Sequence, residues 1–298
     1  MPNIQTGTRV RAILVVVFVG IFSGALAQGF WMAARVPPAY YLSPSGNDAA
    51  AGTSPATAWR SLARASAAYL RPGQRLLLQG GSRFTGQLKI GALDGGNARR
   101  PVLITSYGHG RATIAPHGES GVVVSDTSGV DISNLVISGH ATLRSSTSGI
   151  VLFSTLSSGP AFHSITISGV DVSGFGTGIH IFPEHFVGFR DVSIRDSVLH
   201  GNLDAGLATN GPPLNPAAPA YANENLRITG VVSYGNRGDP NDTTTDSGSG
   251  IVLGSVKNAT VAWSTAHDNG GRGGATRQGP VGMFAYDAAN VVIEHSLA

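Results

Sequence analysis

Residues 250–261 read Gly250-Ile251-Val252-Leu253-Gly254-Ser255-Val256-Lys257-Asn258-Ala259-Thr260-Val261. A glycine leads into an aliphatic burst, a tight turn holding Lys257 follows, and an alternating strand begins at Ala259, eight residues after Ile251. The same spacing separates Val122 from Val130 and Met283 from Val291. Working outward, the burst recurs at Gly121-Val122, Gly149-Ile150, Gly178-Ile179, Gly206-Leu207 and Gly282-Met283. The alternating strand recurs at Val130-Asp-Ile132, Ile165-Thr-Ile167, Val192-Ser-Ile194, Leu226-Arg-Ile228 and Val291-Val-Ile293. The two patterns interleave strictly, so the unit is a coil of about two dozen residues whose extra length sits in inserts at fixed places.

Six phased repeats predict an all-β chain, a single-stranded right-handed parallel β-helix with Val, Ile and Leu stacked inside. Glycines would serve the bends, where turns need positive φ. Asn202, Asn236 and Asn269 each lie ten residues after a strand start, which predicts an internal asparagine ladder. His140 and Phe175 hold the equivalent places in earlier coils. A leucine-rich repeat would need a shorter, Leu-rich period, and a β-sandwich would not keep one phase across six repeats.

Composition agrees. Charged residues make up 12% and hydrophobic residues 42%, with 41 glycines in 298 residues, which suits many short strands and excludes a disordered chain. There is no cysteine, so disulfides and thiolate metal sites are excluded. No basic cluster interleaved with aromatics occurs, so nucleic acid is not an expected partner.

At the N-terminus Arg9 and Arg11 precede an uncharged run that ends Ala25-Leu26-Ala27. This is the pattern of a signal peptide over residues 1–27, followed by a linker over 28–39. An uncleaved anchor is the competing reading, because no charge occurs from Ala12 through Ala34. Either way a secreted or cell-envelope location is expected, with membrane contact only through that segment, and the protein is expected to be a monomer. Ser61 to Leu70 has helical spacing and predicts a short cap over the first coil. At the other end Val291–Ala298 matches only the first part of a coil, so the helix domain, 40–298, is expected to lack its last rungs.

Tyr40-Tyr-Leu-Ser-Pro-Ser-Gly-Asn-Asp48, Gly52-Thr-Ser-Pro55, Ala58-Trp-Arg-Ser-Leu62 and Pro72-Gly-Gln-Arg-Leu76 resemble, in order, the opening of pectate-lyase-like right-handed parallel β-helix proteins. The resemblance spans about residues 40–298. It implies the fold, and it leaves open whether the chain is a lyase, a hydrolase, an epimerase or a binding module.

A lyase acting on a uronate needs Ca²⁺ held by several carboxylates and a Lys or Arg base, whereas a hydrolase needs carboxylates placed across the scissile bond. The insert from Gly238 to Gly250 gathers Asp239, Asp242 and Asp246, the candidate Ca²⁺ ligands. A second insert, Gly270 to Pro280, falls at the equivalent place in the next coil, and two such loops can wall a groove. Asp246, His267 and Asp268 are the catalytic candidates. Arg237, Arg272 and Arg277 are the candidates for binding acidic sugars. Compared with calcium-dependent pectate lyases of family nine, the stretch Gly279-Pro-Val-Gly-Met283 ahead of Val291-Val-Ile-Glu294 carries none of the clustered acids, so the resemblance does not extend to that calcium site. Lys89 and Lys257 are the only lysines, and Lys257 is expected to face solvent.

His180, His185 and His200 lack metal-ligand spacing and are expected in structural or surface roles. Trp59 is expected at the capping helix, and Trp263 in core or edge packing, with a sugar-stacking platform as the alternative. Phe182, Phe186 and Phe189 cluster around Pro183 in one insert, where a hydrophobic lip for sugar rings and the seating of the loop are the two expectations. Asn241 and Asn258 begin glycosylation sequons. Three readings stand: an exported, polysaccharide-lyase-like protein acting on or binding polysaccharide, a non-catalytic surface glycan-binding or adhesion module, and an inactive truncated copy.

Overall fold

The computed structural model describes residues 38–140, 146–243, 245, 247–272, 274 and 279–298. The expected leader and most of the linker lie outside these residues, as do two site candidates, Asp246 and Arg277.

The described chain is a parallel β-solenoid of about eight turns with almost no helix. From Arg75 onward each full turn lays one strand on each of three faces, and the first turn carries the cap in place of its second and third strands. Face one runs through Ala39–Leu42, Arg75–Gln79, Val102–Tyr107, Val130–Ser133, Phe162–Ser168, Phe189–Arg195 and Asn223–Thr229. Face two carries the short strands Arg83–Thr85, Ala112–Ala115, Leu135–Ser138, Asp171–Ser173, Val198–His200, Val232–Tyr234 and Thr265–His267. Face three carries Leu88–Ile90, Val122–Ser125, Ser148–Ser154, Thr177–Pro183 and Ala205–Thr209. The last two long strands, Ser249–Ala262 and Met283–Glu294, start on face three and turn the corner onto face one.

The register follows the repeats. Val130, Ile165, Val192, Leu226, Ala259 and Val291 are successive partners on face one. Val122, Ile150, Ile179, Leu207, Ile251 and Met283 are successive partners on face three. Most of these side chains are buried in one continuous core. Alternation fixes this outcome, because a one-residue slip would turn every apolar side chain outward.

Glycine works differently from expectation at the start of face three. A Cβ on Gly206 would lie 2.0 Å from Ser233 Oγ, and one on Gly149 would lie 2.1 Å from Val172 Cγ1. Neither has positive φ. This glycine column exists because the interior of face two packs against the backbone there. The bends use another set: Asn134, Gly169, Asp196, Gly230, Trp263 and His295 take φ between 48 and 66 at the corner from face one to face two.

The asparagine ladder forms as predicted. Asn202 Nδ2 donates to Asn236 Oδ1 at 3.0 Å, and Asn236 Nδ2 donates to Asn269 Oδ1 at 2.9 Å. The ladder ends on Phe175, whose backbone N–H donates to Asn202 Oδ1. Asn202 and Asn236 are fully buried, and among the described residues no buried side-chain nitrogen or oxygen lacks a partner.

The cap is shorter than its sequence pattern. The helix is Leu62–Ser66, with Ser61 as N-cap. Asp94 takes the Leu70 N–H at 2.7 Å, which draws the chain out of the helical path. Trp59 is buried beside it, stacked on Tyr40, as expected.

Candidate functional site

On face three the outward side chains form two columns. His180, Ala208, Val252 and Phe284 are successive partners in the first. In the second, Phe153 pairs with Phe182 and Gly254 pairs with Tyr286, with Asn210 between them after Thr209. Large rings stand at both ends, Ala208 leaves the middle of the first column low, and the Tyr286 ring lies over Gly254 in the second. The result is a groove of about 400 Å³ lined by Asp204, Ala205, Ala208, Asn210, Thr245, Val252, Phe284 and Tyr286.

The long loops make one wall. Gly270 N–H bonds Asn236 O, Arg272 N–H bonds Arg237 O and Gly274 N–H bonds Asp239 O, so the loop after Asn269 stacks on the loop after Asn236. This is the wall expected from two inserts on adjacent coils, and Thr245 carries it into the groove.

A polar chain runs along the floor. Asn210 Nδ2 donates to the Tyr286 hydroxyl at 2.6 Å, and His180 Nε2 lies 2.7 Å from Asn210 Oδ1. With the amide so oriented, Oδ1 must accept, so His180 carries its proton on Nε2. Burial pushes His180 below the usual imidazole range, against the Asn210 bond and the Asp204 charge, so the ring is neutral.

Asp204 stands where a corner enters the face-three strand. Its backbone is pinned by Gly176 O and by the N–H groups of Gly248 and Ser249. Burial raises its carboxyl above the usual range, Asp242 and Asp239 add to the rise, and Ser247 and His180 oppose it. A half-buried acid with this bias is suited to holding a proton and giving it up.

The sequence-derived candidates fall in several places. Asp239 and Asp242 lie in the wall, close enough to bias Asp204. Their carboxylates also tie their own loop: Asp239 Oδ1 accepts from Asn241 N, and Asp242 accepts from Thr245 N and Oγ1. Among the described residues no three His, Asp or Glu come together to hold a metal ion. Arg237 and Arg272 are exposed and stacked at the rim but do not line the groove.

His267 and Asp268 pair at 2.8 Å, but on face two, where the rings of His200, Tyr234 and His267 stack 4.9 and 5.2 Å apart. They belong to that stack and not to the groove. Lys89 is on face three, three coils from His180, and Lys257 is exposed on face one. The phenylalanine cluster splits: Phe182 and Phe186 are exposed, whereas Phe189 is buried against Phe162. Trp263 is 66% exposed, against the expectation of core or edge packing. Asp204, Asn210 and Tyr286 were not among the sequence candidates. Aligning the outward positions of the glycine-led strands by coil would have brought His180, Asn210 and Tyr286 to one face.

No family model matches the chain. A lacto-N-biosidase of Bifidobacterium longum subsp. longum is 40% identical over 88 residues, which is 28% of this chain and 6% of that protein. The crystal structure of GH136 lacto-N-biosidase from Eubacterium ramulus superposes with a TM-score of 0.65 at 19% identity, over 87% of this chain and 51% of that one. A pectate lyase structure gives a TM-score of 0.41 at 15% identity, over 87% of this chain and 78% of that one. The chain therefore spans about half the length of the solved lacto-N-biosidase and a small fraction of the curated one.

Proposed function

We propose that the protein is an exported, carbohydrate-active β-helix that binds a glycan in the face-three groove and cleaves a glycosidic bond there, with Asp204 as the proton donor. The observation that carries this reading is the raised carboxyl of Asp204 on a groove whose lining is aromatic, small and amide-bearing. Aromatic faces suit the C–H faces of sugar rings, and Asn210 suits hydroxyls. The likeness of part of the chain to lacto-N-biosidases, which are glycan-cleaving by name, supports the same reading.

Among the described residues that line the groove none is Lys or Arg to neutralise a uronate, which favours hydrolysis of a neutral glycan over elimination on an acidic one. In the proposed step Asp204 protonates the glycosidic oxygen as the C–O bond breaks. Water adds to the anomeric carbon and gives its proton to a wall carboxylate, for which Asp242 is the candidate. His180, neutral and fixed by Asn210, orients the floor.

The test is incubation of the whole protein with neutral β-linked oligosaccharides and with pectate and alginate. New reducing ends without an ultraviolet-absorbing unsaturated product, lost in Asp204→Asn, are the expected result. Unsaturated product from the uronates would replace hydrolysis with a lyase. Binding of an oligosaccharide without cleavage would make the chain a glycan-binding module. Export is tested by N-terminal sequencing of protein recovered from culture medium, where a start at Gln28 is expected.

A further inference from the structure

The corner from face one to face two is built from one residue per coil in the left-handed region. Its backbone N–H groups climb a ladder: Asn134 to Ser168 O, Gly169 to Arg195 O, Asp196 to Thr229 O, Gly230 to Ala262 O and Trp263 to Glu294 O. Asn, Asp and Gly are the residues that tolerate this conformation. Trp263 holds it at φ 53, an unfavourable choice for a bulky side chain. It does so while the residue is 66% exposed, so core packing does not repay the strain. Backbone strain kept at an exposed aromatic points to a role for the ring.

The ring's surroundings indicate what that role is. On one side the imidazole of His295 stacks on the indole, 4.4 Å between centroids and 13° between planes. One coil away on the other side is Gly230, which has no side chain. A Cβ built there would lie 3.0 Å from Oδ1 of Asp196 in the preceding coil. Trp263 and Asp196 are two coils apart, about 10 Å at the usual strand spacing. The exposed indole and the Asp196 carboxylate thus stand two coils apart on one corner, with no corner side chain between them. Arg195 Nη1 lies 3.3 Å from the second Asp196 oxygen and adds donors beside it.

We infer that this corner is a second carbohydrate-binding point, in which a pyranose ring lays its C–H face on Trp263 over Gly230 and offers hydroxyls to Asp196. A pyranose has one apolar face for the indole and edge hydroxyls that a carboxylate accepts. The corner joins faces one and two, so it lies away from the face-three groove and would tether a glycan rather than cut it.

The experiment titrates the whole protein with cellobiose, lactose and chitobiose, followed by calorimetry and by indole emission, with the emission of Trp263→Asn subtracted to remove Trp31 and Trp59. A saturable blue shift and a heat with at least one disaccharide are expected. Trp263→Asn, which suits the left-handed corner, should abolish the blue shift and the part of the heat that saturates with it. Gly230→Asn, which keeps Trp263 but puts a side chain between it and Asp196, should weaken binding at least about tenfold. Asp204→Asn should leave the corner signal unchanged, so failure of the groove reading would not remove this one. No heat or shift with any of the three sugars, or unaltered binding in either corner variant, would overturn the inference.

Discussion

The ring of Tyr286 occupies the space that a side chain on Gly254 would need: a Cβ there would lie 2.3 Å from Tyr286 Cζ. Gly254 lets the tyrosine lie down across a neighbouring strand and reach Asn210, two coils back. Gly254→Ala should therefore lift the ring, break the Asn210 bond and open the floor. The expected outcome is a loss of glycan affinity of about tenfold or more with a stability cost of about 1–3 kcal/mol. Calorimetry on the groove ligand, with urea unfolding alongside, checks both. Tyr286→Phe should keep the shape of the floor and lose only the hydroxyl.

Asp204→Asn should remove catalysis while leaving the fold intact. The rate should fall by about 10²- to 10⁴-fold, the usual worth of a positioned acid. The same variant has a signed stability effect. The folded carboxyl is raised above its ordinary 3.8, so as pH climbs past that value the unfolded chain loses its proton first. The folded state is then progressively disfavoured, until Asp204 also ionises and the penalty levels off. Thermal unfolding should therefore show no gain for Asp204→Asn at pH below the ordinary carboxyl value, and a gain that grows above it. In the wild type, hydrolysis should decline on the alkaline side as Asp204 loses its proton.

The interior ladder predicts a larger effect on stability. Asn236 Oδ1 accepts from both the backbone and the amide of Asn202, and its Nδ2 donates to Asn269 and Ser233. Asn236→Ala would strand several of these groups in a dry interior. A loss of about 2–4 kcal/mol is expected from unsatisfied buried partners. Denaturant unfolding should show a lower midpoint with little change of slope.

The fold was more legible than the site, for a physical reason. Inward residues such as Ile150, Ile179 and Leu207 must all be apolar, so the repeat is written directly in residue type. The asparagine ladder was legible too, because a buried amide stack requires the same residue in consecutive coils. The groove carries no such constraint. Its lining mixes Ala208, Asn210, Val252 and Tyr286, which share a face but not a chemistry, and Asp204 acquires its proton bias from burial and from a loop that folds back. Conspicuous acids and histidines in sequence, Asp268 and His267, proved to be surface partners on another face. Trp263 was misplaced because a tryptophan beside a core strand is normally buried, and its left-handed φ is invisible in sequence.

A second ladder, on the corner from face three to face one, separates backbone from side-chain effects. Asp191, Asn225, Asn258 and Asn290 all have φ between 54 and 58. Their side chains link in sequence: Asn225 Nδ2 to Asp191, Asn258 Nδ2 to Asn225 and Asn290 Nδ2 to Asn258. Unlike the interior ladder, this one is largely open to water, so each bond exchanges readily with solvent and contributes little. The left-handed backbone should carry most of the cost of substitution. Asn258→Gly keeps access to that conformation and loses the amide, so a change within about 0.5–1 kcal/mol is expected. Asn258→Ala loses both, and should cost about 1–2 kcal/mol more than the glycine variant. Paired denaturant melts of the two variants measure the difference directly. Equal destabilisation by both would show that the amide chain, and not the backbone, holds this corner.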